Sequence, residues 1–151
     1  MEITKNPILQ ETAEQIDQLL GPRLDSLKVE RAALGLFFSG VKLSSGHGGL
    51  CFTPVKEIPQ AVCCPSSAKA MPLSGRLGDR PVRDYLNDLT SDNILRKALA
   101  IATLNALSAL CWEEMPDKPY TLLEGKHAFD DVDIHPGQNA VVIGALVPVL
   151  K

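Results

Sequence analysis

An excess of basic residues is missing from this sequence: 15 Lys and Arg stand against 18 Asp and Glu, for a formal charge of −3. That excludes the electrostatic footprint of a nucleic-acid binder, and no basic stripe replaces it. A disulfide framework is missing too. The four cysteines, Cys51, Cys63, Cys64 and Cys111, have no framework spacing and are expected to be thiols in a reducing compartment. No apolar signal-peptide core follows Met1 to Lys5, so the expected location is cytoplasmic. The alanine- and leucine-rich run Ala98 to Trp112, uncharged throughout, has fifteen residues, fewer than the roughly 18 needed to span a bilayer. The Gly-Lys-Ser/Thr ending of a P-loop, a nucleophile elbow and a full dinucleotide-binding glycine fingerprint are all absent, so no catalytic signature is in view. No segment repeats. Hydrophobic residues at 45% and charged residues at 22% argue against disorder and place all 151 residues in ordinary globular territory.

What is present is organised around Thr90 to Trp112. Thr90, Ser91, Asp92 and Asn93 can each cap a helix start, and the alanine- and leucine-rich stretch that follows predicts a buried central helix over about 91–112. Leu95, Ala98, Ala102, Asn105, Ala109 and Trp112 share one mostly small face. Asn105 in that face predicts a buried, hydrogen-bonded amide, which either pins a neighbouring strand or loop or points at a ligand.

Before this helix, Asn6-Pro7 and the spacing Leu9, Ala13, Ile16, Leu20 predict an amphipathic helix closed by Gly21-Pro22. Strand patterning follows over Leu27 to Leu43, and the glycine-rich loop Ser44 to Gly49 joins it to Leu50–Thr53 as an antiparallel hairpin. A third run, Ala61 to Cys64 between two prolines, suits an edge strand, completing a three-strand meander. Asp79-Arg80-Pro81 reads as the start of a helix through about Leu89. Beyond a mixed linker, Ala140 to Ile143 reads as a strand buried on both faces.

Several side chains can carry chemistry, each with a plainer reading beside it. His47 and Thr53 flank a loop whose glycines allow close approach to an anion, although a simple hairpin connection serves equally. Gly75 and Arg76 precede a helix start, a generic anion site or a structural turn. Cys63 and Cys64 offer soft thiolates without zinc-knuckle spacing, so they also read as small buried apolar residues. His127 and His135, with Asp130, Asp131 and Asp133 between them, offer imidazole and carboxylate donors to a metal, or form a solvated linker. An EF-hand loop fails there for want of the required Gly and Glu.

The order of short motifs carries a resemblance. The hairpin Leu34 to Pro54, then Pro72-Leu73-Ser74-Gly75-Arg76, then Ser91-Asp92-Asn93-Ile94 running into Ala102-Thr103-Leu104-Asn105-Ala106-Leu107 resembles the first half of an uncharacterised two-domain family named "putative heavy-metal chelation". The similarity covers about residues 5–112, and Pro136-Gly137-Gln138 with Val141-Val142-Ile143-Gly144 looks like the family's entry into its second half. Ala100 stands where the family pattern has glycine, a departure that touches packing. The resemblance implies an α+β, enolase-N-terminal-like domain over 1–134 and the start of a Rossmann-like domain over 135–151. It also implies a ligand or metal site in the cleft between two such domains. The expected ligand is then a divalent heavy metal or a small molecule, bound by residues drawn from His47, Thr53, Gly75, Arg76, Asn105, Cys63, Cys64, His127 and His135. Membrane and nucleic acid are not expected as partners. The almost wholly apolar tail Ala140 to Leu150 predicts a homo-oligomer or association with the rest of a second domain. A stand-alone interaction domain and an enzyme acting on a small metabolite are the rival readings.

Overall fold

The computed structural model describes residues 7–54, 73, 75–121, 125, 133, 135–139 and 141. The chain divides into two compact units, Met1–Asp117 and Lys118–Lys151. The first is an α+β domain. Its elements run α1 (Pro7–Leu20), α2 (Arg23–Ser26), β1 (Lys28–Leu34), β2 (Phe38–Leu43), β3 (Gly48–Phe52), β4 (Arg80–Pro81), α3 (Val82–Leu86), a 3-10 turn over Asn87–Thr90, and α4 (Ile94–Glu114). The strands form one antiparallel sheet in the order β3-β2-β1-β4.

Local chemistry explains most boundaries. Pro7 opens α1 with a preset φ and no N–H to satisfy. Ile16 and Leu20 bury its apolar stripe, and Gly21, at φ +50°, turns the chain out of the helix. Asn93 caps α4: its Oδ1 accepts the backbone N–H groups of Leu95 and Arg96, both at 3.1 Å. Arg96 is gripped by Asp88 at 2.9 Å, which fixes the 3-10 turn against the first turn of α4.

The stretch Leu27 to Leu43, expected as one strand, is two. Gly35 donates its N–H to the Phe38 carbonyl at 3.1 Å, closing a tight hairpin around Leu36-Phe37. A Cβ on Gly35 would lie 2.5 Å from that carbonyl oxygen, so only glycine fits. A bulge between Val29 and Arg31 also shifts the alternation of β1, after which Ala32 and Leu34 pack inward. The expected strands at Ala61–Cys64 and Ala140–Ile143 lie outside the described residues, except Val141, which is exposed. The fourth strand, β4, comes from Arg80–Pro81, expected as helix; Pro81 ends it and stands just before α3.

The sheet's inner face meets α4. Val29, Val41 and Leu43 pack with Leu99, Leu104, Leu107 and Leu110, and α1 and α3 close the other side with Ile16, Leu20, Val82 and Tyr85. Small residues allow very close packing. A Cβ on Gly49 would sit 2.0 Å from the Ala102 carbonyl oxygen and 2.5 Å from the Ala106 nitrogen, so β3 lies almost backbone to backbone on α4. Although its uncharged run is short, α4 reaches 21 residues and by length and composition would also suit a membrane span. Here the sheet, α1 and α3 cover its buried sides.

A candidate histidine site at the end of the central helix

The tight β2–β3 connection determines where His47 sits. Leu43 donates its N–H to the His47 carbonyl at 2.8 Å, and Gly46, at φ +92°, makes the turn between them. This brings the imidazole to the last turn of α4. His47 Nε2 lies 2.7 Å from Glu113 Oε2, and its Nδ1 lies 3.1 Å from Ser45 Oγ. The ring's side chain is 17% exposed.

An ionised carboxylate can only accept, so Glu113 requires the proton on Nε2. Nδ1 is then left with a lone pair, which the Ser45 hydroxyl can meet as donor. A histidine whose N–H is held by a carboxylate, with the opposite nitrogen basic and oriented, is the arrangement that commonly prepares imidazole for a metal. The same arrangement can take up a proton.

The neighbouring residues supply further polarity. Arg23, from α2, holds Glu114 in a two-pronged bond of 2.8 and 2.9 Å. That bond, with smaller charge effects of Arg23 and His47, holds the Glu114 carboxyl below its ordinary range. Cys111, half-buried on the same helix end, has its thiol pushed up by burial above all, with the Glu114 charge adding. Among the described residues, no group of three His, Cys, Asp or Glu side chains is arranged to hold a metal ion. His47 and Glu113 therefore supply at most part of a coordination sphere.

The other sequence-predicted residues are not gathered here. Asn105 is hydrogen-bonded but exposed: its amide donates to the Leu50 carbonyl on the free edge of β3 at 2.8 Å. Of its two readings, pinning a strand is the one its bond describes. Burial fails because the small face of α4 runs out from under the sheet, and Ala109 is exposed as well. Thr53 is buried and shares a 2.7 Å hydroxyl bond with Ser39, a structural pairing inside the domain. Gly75, at φ +75°, and Arg76 lie in an exposed turn, in which Arg76 donates its N–H to Leu73 at 2.8 Å. His135, in the second unit, is exposed, and its N–H donates to Gln138 Oε1 at 3.0 Å. Cys63, Cys64 and His127 lie outside the described residues.

Sequence reasoning missed Glu113, which is 66 residues from His47 and has no local pattern to link them. It also missed a groove of 710 Å³ between α1, α3 and α4, with Leu9, Ala13, Leu86 and Ile101 on its apolar side. The Arg83 guanidinium on its polar side is already held by Asp17 at 2.8 Å and by Asp25.

The sequence profile of the family described as "Putative heavy-metal chelation" matches residues 17–108. The chain belongs to that family. The match runs from the last turn of α1 through most of α4 and so includes both the β2–β3 loop with His47 and the Asn105 strand contact, but not Glu113. No curated protein matches the chain. One solved structure that it resembles is described as a protein with unknown function from the DUF364 family of Desulfitobacterium hafniense, at 20% identity and a TM-score of 0.43. That match covers 64% of this chain and 35% of the other, so the chain spans about a third of its length.

Proposed function

We propose that this heavy-metal-chelation family member binds a divalent metal ion or a small metal-bearing ligand through the Nδ1 of His47. Glu113 fixes the ring and its tautomer. The observation that carries the reading is the carboxylate–imidazole pair at 2.7 Å, made by two residues 66 positions apart in sequence. Imidazole suits borderline metals such as zinc, copper and nickel, and a held N–H raises its donor strength.

One imidazole is too few for tight chelation. The proposal therefore takes further donors from outside the set around His47, with the paired thiols Cys63 and Cys64 the softest candidates. In keeping with the family, we assign 1–134 to an enolase-N-terminal-like half and 135–151 to the start of a Rossmann-like half. The expected compartment is the cytoplasm, where Cys63 and Cys64 stay reduced.

Equilibrium dialysis of the full chain against zinc, nickel or copper, followed by metal analysis, tests the reading. Stoichiometric metal that falls at least ~10-fold in affinity in His47→Ala, and detectably in Glu113→Gln, supports it. Metal retained undiminished in His47→Ala contradicts it, and its loss in the Cys63→Ala, Cys64→Ala double variant alone would move the site to the thiols.

A further inference from the structure

The outer face of the sheet carries an apolar surface that no element among the described residues covers. Along β2 and β3 the outward positions are Phe38, the half-buried Gly40 and Lys42, and Gly48, Leu50 and Phe52. Phe38 and Phe52 stand opposite each other in register, with ring centroids 6.4 Å apart and planes at 87°. Leu50 lies across Gly40 so closely that a Cβ there would meet its Cδ2 at 2.8 Å. Leu36 and Phe37 form the adjoining hairpin tip. Among the described residues nine large apolar side chains are well exposed, and five of them are these. Three of the chain's four phenylalanines are spent here and not in the core.

The sheet's edges offer no equally good place for a partner. On β3 the Leu50 carbonyl is already taken by the Asn105 amide, and β4 is two residues long and ends in Pro81, which has no N–H to give. Edge-to-edge pairing is blunted on both sides. The face is not.

We propose that this outer face is the interface of a symmetric homodimer, in which Phe38, Leu50 and Phe52 of one copy pack on the same residues of a second. Area supports it: five side chains about 60% exposed offer on the order of 500 Å² per copy, so a pair reaches roughly 1,000 Å², the threshold for a specific interface. Charge supports it as well. The depression beside the patch is bordered by Glu30, Arg31 and Lys42, with Glu30 and Lys42 paired at 3.4 Å. An apolar centre with both signs at its rim is complementary to itself, as a two-fold interface requires.

Sedimentation velocity of the full chain over a concentration series tests the proposal. The wild type should run as a dimer. The Phe38→Ser, Phe52→Ser double variant should dissociate at least ~100-fold more readily, since central aromatic anchors dominate such interfaces. Its circular dichroism should be unchanged, because both rings are exposed in the single domain. Leu50→Arg should give the same result by charge repulsion. Leu19→Ser, which removes an equally exposed apolar side chain from α1, should leave the dimer intact. A wild type that is monomeric throughout overturns the proposal, and so does a dimer that survives both Phe38→Ser, Phe52→Ser and Leu50→Arg.

Discussion

The two ends of α4 do different things with the same backbone. From Leu95 to Leu107 every alanine and leucine of the helix is buried, and the helix is pressed against β3 until Gly49 touches Ala102 and Ala106. From Ser108 to Glu114 it emerges: Ala109, Glu113 and Glu114 are exposed, and polar partners from the β2–β3 loop and α2 gather on it. The packed end sets the position of the exposed one. Because β3 is locked onto the middle of the helix, the loop before β3 is delivered to its last turn, and His47 reaches Glu113 with no local motif encoding that meeting.

The contrast can be broken most sharply at Gly49. Gly49→Val should cost several kcal/mol, at least ~3, because no side chain can occupy space already filled by the α4 backbone. Urea unfolding should show it as a large drop in midpoint, while Gly48→Ala on the open face, with its nearest neighbour at 3.6 Å, should change little. Leu107→Ala should follow at about 2–5 kcal/mol from the cavity it leaves in the core. Ser39→Ala, which strands the buried Thr53 hydroxyl, should cost about 1–3 kcal/mol. Asn105→Leu should cost less, about 0.5–1.5 kcal/mol, since its bond to Leu50 is at the surface. If Asn105→Leu proves as damaging as Leu107→Ala, the boundary between the two ends of α4 is misplaced.

At the exposed end the expected effects on stability are smallest. His47→Ala should move Tm by no more than ~3 °C, because what it loses is a hydrogen bond to the exposed Glu113 carboxylate, while weakening the proposed metal uptake at least ~10-fold. Alkaline titration gives a further check on the packed regions. Burial raises Cys51 and Cys111 above their ordinary 9.0 and Tyr85 above 10.0. Folding thus favours their protonated forms, so this stabilisation is complete below pH 9 and is lost as pH rises through the raised folded values. Stability followed by denaturation from pH 8 to 11 should fall across that range. A flat profile would mean that these groups are no better shielded than in the unfolded chain.

Much of the first unit was legible before any coordinates. Pro7, the Leu9–Leu20 stripe and Gly21 bounded α1, and Asn93 was among the caps foreseen for α4, because these are local signals carried by adjacent residues. The hairpin at Gly35 was not legible. Its loop is Leu36-Phe37, an apolar pair where turn chemistry favours Asn-Gly or Asp-Gly, and the signal was hidden inside what read as one alternating strand. The exposed aromatic face was missed for the same reason, since a one-residue error in register reverses which side chains face the core. Within the candidate site, His47 was visible as a residue type in a glycine-rich loop. Glu113 and the tautomer it enforces were not, because a contact across 66 positions is written in the packing of Gly49 and Ala106, not in any local motif.

The central claim is that Glu113 holds the Nε2 proton of His47 and so leaves on Nδ1 a lone pair that a metal can take from the Ser45 hydroxyl. The chain has three histidines, so a long-range proton–nitrogen spectrum of the imidazoles can follow each during a zinc titration. The expected result is an apo His47 in the Nε2–H form, with its Nδ1 resonance shifting as one equivalent of zinc is added. A His47 in the Nδ1–H form, or zinc shifts confined to His127 and His135, would contradict it.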